Sequence, residues 1–131
     1  MALMLIKLEN YRMTAASAGM PPVYVYRSRT GSVEEIVIRG MPLGSPLAFP
    51  YEPVSTTLEP GDAVLLLSDG FPELFNDSDE MLDYLRVKEI FKENAGLAAS
   101  DIISEFTAAG EAWRGDRPQH DDITFVVLKV S

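Results

Sequence analysis

Short runs rich in β-branched and aromatic residues, several alternating apolar with polar positions, occupy the first half of the chain. They predict strands over residues 2–9, 12–17, 23–27 and 34–38. Asn10 with Tyr11 suits a hairpin turn between the first two runs, and Thr30-Gly31-Ser32 suits one between the next two, so the reading is a meander of antiparallel strands. Between Gly40 and Pro60 the prolines at 42, 46, 50, 53 and 60 forbid a helix and imply an ordered loop with one edge strand around 54–58. Ala63-Val64-Leu65-Leu66-Leu67 has no polar face, as a central strand covered on both sides requires. Helical spacing follows over 79–94, with a stripe of Tyr84, Val87, Ile90 and Phe91, and again over 101–113, with Ile102, Ile103, Phe106 and Trp113. Ser100 reads as the N-cap of the second helix and Asp101 suits its first turn. Both stripes read as core. The chain closes on 123–130, apolar at nearly every position and so predicted to be a second buried strand. Strands, then two helices, then a last strand, without alternating strand–helix units, predict an α+β layered sandwich of antiparallel sheets with helices packed outside.

The chain's 131 residues suit one domain, and 47% hydrophobic with 24% charged residues is globular usage. Eleven Lys and Arg against twenty Asp and Glu leave a net charge of -9, which repels a phosphate backbone and excludes nucleic acid as a partner. With no Cys and one His, any metal must be held by oxygen ligands or by that His. The run Ala2-Leu3-Met4-Leu5-Ile6 is broken by Lys7 and Glu9, too short to span a bilayer, so a cytoplasmic domain without membrane insertion is expected.

Two acidic motifs carry the candidate chemistry. Ser68-Asp69-Gly70 ends one apolar strand, and Asp121-Asp122 begins another. Carboxylates at strand mouths are held rigidly, and two mouths at one sheet edge bring them together around a hard cation. The glycine after Asp69 allows a sharp turn that exposes the carboxylate. Spacing alone leaves an ordinary Asp-Gly turn as the simpler account.

In order, the chain carries Ala16-Ser17-Ala18-Gly19-Met20-Pro21-Pro22, Gly40-Met41-Pro42-Leu43-Gly44, Leu58-Glu59-Pro60-Gly61-Asp62 running into Ser68-Asp69-Gly70-Phe71-Pro72-Glu73, and Asp121-Asp122-Ile123-Thr124-Phe125. These four blocks resemble the C-terminal part of the SpoIIE-like branch of the PPM (type 2C) protein serine/threonine phosphatases, over residues 1–131. The resemblance implies that Asp69 and Asp121 are metal ligands, with Gly70 and Asp122 beside them. It also implies two Mn2+ or Mg2+ ions between stacked sheets, and a metal-activated water that attacks phosphoserine or phosphothreonine. The implied partner is a phosphorylated protein, such as an antagonist of an anti-sigma factor.

The family's first metal-binding Asp-Gly pair, usually followed by His-Gly, lies on strands and helices before these blocks, and no such segment occurs here. Glu9, Glu34 and Glu35 sit on predicted strands, and Asp69-Gly70 cannot serve as both pairs. The expectation is therefore a fragment of a phosphatase domain, beginning at an introduced Met and weak or inactive alone. The alternative is a noncatalytic partner-binding module that keeps the architecture. Sheet edges left unpaired in such a fragment favour a dimer. His120, next to Asp121, reads either as a proton donor or phosphate-positioning group or, preferably, as an exposed loop residue. Arg114 and Arg117 read equally as phosphate partners or as solvated loop residues. The acidic run Asp77, Asp79, Glu80 and Asp83 lacks a calcium-loop pattern and reads as a solvated helix start. Met20, Met41 and Met81 read as gap-filling residues.

Overall fold

A computed structural model describes residues 1–46 and 48–131. The elements run β1 (Leu3–Glu9), β2 (Arg12–Ala18), β3 (Val23–Arg27), β4 (Ser32–Ile36), β5 (Val54–Thr57), β6 (Ala63–Leu67), α1 (Asp83–Asn94), α2 (Ala99–Arg114) and β7 (Phe125–Lys129). They form two antiparallel sheets, β1-β2-β5 and β4-β3-β6-β7. The expected α+β sandwich is present. The single meander is not, because β3 pairs with β4 and β6 in the other sheet rather than with β2. Among the described residues no helix is long and apolar enough to cross a membrane.

Local chemistry explains most elements. Asn10 and Tyr11 have φ of 49° and 60° and close the two-residue β1–β2 hairpin with Glu9 opposite Arg12, the positive-φ pair that suits the strand twist. β4 begins at Ser32, two residues before the predicted start, because Arg27 pairs with Ser32 directly after the turn, and it ends at Ile36 rather than 38. The proline-rich stretch is irregular apart from β5, as expected, although residue 47 lies outside the described residues. Gly40 in that stretch lies so close to β2 that an added Cβ would sit 1.7 Å from the Ser17 carbonyl oxygen, so these two motif blocks meet through backbone.

The four-stranded sheet separates two cores. On one face Tyr24, Leu65, Phe71, Val87, Phe91, Ile102 and Phe106 pack under the helices. On the other, Met13, Ala15, Val23, Val25, Leu58 and Val64 fill the space between the sheets. β6 is the central strand predicted, and its alternate side chains feed both cores. β7 departs from expectation: it is an edge strand paired with β6 alone, and Val126 is 43% exposed. Among the described residues both helices pack on the four-stranded sheet, leaving Leu5 of the three-stranded sheet open to solvent. α1 starts at Asp83 rather than 79, because residues 74–82 first form a hairpin-like loop. α2 starts at Ala99 after Ala98, so Ser100 lies inside the first turn and does not cap it.

The sheets are joined at the start of β6 by a buried carboxylate. Asp62 accepts hydrogen bonds from the backbone amides of Glu59 (2.9 Å) and Ser28 (3.0 Å), the Ser28 hydroxyl (3.2 Å) and Arg27 (3.4 Å). Arg27 also donates to the Thr57 carbonyl and Thr56 hydroxyl of β5 in the other sheet, and pairs with Glu34. Burial opposes the charged form of Asp62, but these donors outweigh it and hold the carboxyl below its ordinary value. Asp62→Ala strands two amide donors, and unfolding in urea should show a loss of about 3 kcal/mol. Because the folded value is lowered, Asp62's contribution is complete above the unfolded carboxylate value of about 4 and is lost as pH falls through the folded one. A pH series of urea midpoints should show that acid-side loss in the wild type and its absence in Asp62→Ala.

Candidate functional site

The antiparallel pairing of β6 with β7 sets Leu67 opposite Phe125, so the segment leaving β6 runs beside the segment entering β7. Ser68 ties them together. Its amide donates to the Thr124 carbonyl (3.1 Å), its hydroxyl donates to the Asp122 carbonyl (3.2 Å), and the same hydroxyl accepts from the Thr124 amide (2.9 Å). Gly70 then packs on the Asp122 backbone, where an added Cβ would sit 2.2 Å from the carbonyl oxygen. Glycine is required here by close approach of two backbones, a different reason from the sharp turn that the sequence suggests.

Asp69 and Asp121 are both exposed and lie at the same end of this strand pair, the same-edge placement expected of them. One Asp121 carboxylate oxygen accepts the Asp122 amide at 2.8 Å, while no side-chain hydrogen bond to Asp69 occurs among the described residues. Asp122 is exposed and contributes chiefly its carbonyl. His120 is exposed, and with Gly70 and Asp121 it lines a cleft of about 420 Å3. Among the described residues no three His, Cys, Asp or Glu side chains cluster as a metal site. Two hard carboxylates fit a Mg2+- or Mn2+-like cation in donor type and fall short of a full coordination set.

The flanking loops are built for rigidity. Arg117 donates to the Asn76 carbonyl (2.7 Å), pairs with Asp79 and lies over the Phe75 ring, while Arg114 holds the Arg117 carbonyl. Both arginines thus have structural partners. The acidic run is likewise part of this loop rather than a helix start. Gln119 donates to the Asp121 carbonyl at 2.8 Å. The site end is electronegative: burial, then the carboxylates of Glu73, Asp69, Asp83 and Glu35, push the Tyr84 phenol up. Sequence reasoning missed Ser68, Glu73 and Tyr84. Ser68 was legible as the first residue of the Ser-Asp-Gly block, whereas Tyr84 reads as core and reaches the site only through packing.

The family model described as Stage II sporulation protein E (SpoIIE) matches residues 1–131. Phosphoserine phosphatase RsbU of Bacillus subtilis is 25% identical over 122 residues, which cover 93% of this chain and 36% of that protein. The SiaA-PP2C domain of Pseudomonas aeruginosa superposes with a TM-score of 0.80 at 21% identity, covering 99% of this chain and 51% of that one. The Mn-presoaked phosphatase domain of SpoIIE from Bacillus subtilis gives a TM-score of 0.73 at 24% identity, with 99% and 56% covered. The chain thus spans about a third of the curated relative and about half of the solved chains, and the structural likeness establishes the fold.

Gly70→Ala must push β6 and β7 apart. A loss of about 2 to 4 kcal/mol in unfolding free energy is expected. Gly96, with no atom within 4 Å of an added Cβ, provides the control, and Gly96→Ala should stay within about 0.5 kcal/mol of wild type.

Proposed function

This chain belongs to the Stage II sporulation protein E (SpoIIE) family, and from that premise we propose that residues 1–131 are the C-terminal portion of a metal-dependent phosphoserine/phosphothreonine protein phosphatase domain of bacterial signalling. The observation that carries the reading is the meeting of the two acidic strand-end motifs at one sheet edge, fastened by Ser68 and by the Gly70–Asp122 contact. In this reading Asp69 and Asp121 hold Mn2+ or Mg2+ through carboxylate oxygens, and the remaining ligands come from a segment upstream of these residues in the parent protein. A bound metal pair supplies a water of lowered pKa and neutralises charge on the transferring phosphoryl group.

The chain's own residues prepare that chemistry. Ser68 fixes the separation of the two motifs, and Gly70 admits the Asp122 carbonyl so that neither strand end is displaced. Gln119 and the Asp122 amide hold the Asp121 backbone and carboxylate, while exposed His120 stands at the cleft as a group able to face phosphate. No protein nucleophile is needed, consistent with a chain that has no Cys. The proposed substrate is a phosphorylated protein. An antagonist of an anti-sigma factor fits best, in keeping with the relatives named RsbU, one of which is solved together with an RsbW domain.

The parent protein should hydrolyse p-nitrophenyl phosphate and a phosphoserine peptide in a Mn2+-dependent manner. Asp69→Asn and Asp121→Asn should each lower kcat/KM by about a thousandfold, or ~4 kcal/mol of transition-state stabilisation. The isolated 131 residues should show negligible turnover, because two carboxylates hold at most one ion well. Turnover that ignores both substitutions would remove these residues from the reaction. A parent that binds phosphoprotein without hydrolysing it would establish the noncatalytic alternative.

A further inference from the structure

We propose that the loop from Leu74 to Leu82 presents Phe75 and Met81 as a preformed docking surface for an apolar side chain flanking the phosphorylated residue of a protein substrate, an inference that rests on the phosphatase reading above. Phe75 and Met81 face each other across an antiparallel bridge, yet remain 41% and 39% exposed. Two large apolar residues held adjacent and left open differ from apolar residues scattered singly over a surface.

The surface is rigid. Asn76 and Glu80 join through backbone (3.0 Å), the Asn76 side-chain carbonyl accepts from the Ser78 and Glu80 amides (2.9 Å each), and the Leu82 amide donates to the Leu74 carbonyl (2.8 Å). From outside the loop, the Trp113 indole N–H lies 3.2 Å from both the Leu74 and Glu80 carbonyls, and Arg117 lies over Phe75 with its carbon 5.9 Å from the ring centroid. A surface ordered before binding loses little entropy when a partner arrives, and aromatic and methionine side chains are enriched where proteins dock.

Its position and charge select the occupant. Phe75 and Met81 line the same cleft as Gly70 and Asp121, and the volume of about 420 Å3 lies within the range of small-ligand clefts. In a chain of net charge -9, that cleft gathers Arg114, Arg117 and His120. A segment offering a phosphate dianion and an apolar neighbour matches both the cations and the Phe75–Met81 pair. A second copy of this acidic chain offers no such charge match.

The test uses the parent protein and two phosphoserine heptapeptides that differ only in carrying leucine or serine on both sides of the phosphoserine. Wild type should favour the leucine peptide about tenfold in kcat/KM, and Phe75→Ala and Met81→Gln should each shrink that ratio to within about threefold of unity. Met81→Gln guards against Phe75→Ala simply loosening the loop. Equal use of both peptides by wild type, or a preference that survives both substitutions, would overturn the proposal. So would a change from dimer to monomer in sedimentation with the preference intact, because the pair would then serve self-association. Failure of wild type to hydrolyse either peptide or p-nitrophenyl phosphate would instead remove the phosphatase reading itself.

Discussion

The geometry of the candidate site depends on the contact between Gly70 and the carbonyl of Asp122. In an antiparallel pair the residues that follow one strand lie beside those that precede its partner, so β6 and β7 necessarily bring Ser68-Asp69-Gly70 alongside Asp121-Asp122. How close they come is set by side-chain size at one position. With an added Cβ placed 2.2 Å from the Asp122 oxygen, anything larger than glycine forces the segments apart, and the Ser68 hydrogen bonds that register them would lengthen with it.

The two ends of β6 use carboxylates in opposite ways. At its start Asp62 is buried, 1% exposed, and ringed by donors from both sheets, an arrangement that stabilises the charged form and the sandwich together. At its other end Asp69 and Asp121 stay exposed, and the surrounding carboxylates raise the phenol of Tyr84. Negative charge gathered without internal compensation suits a cation from outside. The satisfied carboxylate serves the fold and the unsatisfied ones serve the proposed chemistry, separated by the length of one buried strand.

Rigidity on either side of that site comes from the two loops rather than from the sheets. Trp113 and Arg117, both near the C-terminal end of α2, reach across to the 74–82 loop, so the helix layer braces one wall of the cleft. The two cores divide the labour. The helix-side core supports the cleft, and the core between the sheets holds β6 in place.

What the sequence by itself determined was every element with a strong local signal: the Asn10-Tyr11 hairpin, the all-apolar β6, the two amphipathic helices and the acidic residues at strand ends. These follow from backbone chemistry and from the periodicity of burial, both of which are local. It did not determine that the chain leaves one sheet for the other after β2, that β7 is an edge strand, or that residues 79–82 close a hairpin-like loop before α1 begins. Those outcomes rest on pairings between residues far apart in the chain, which periodicity cannot see: an apolar run such as 123–130 looks the same whether one or two strands flank it. Only the tertiary structure decided that Gly70 is there for the Asp122 carbonyl and that Asp62 clamps two sheets. It also decided that Arg114 and Arg117 are occupied with loop carbonyls and Asp79, because each of these depends on atoms that share no neighbourhood in sequence.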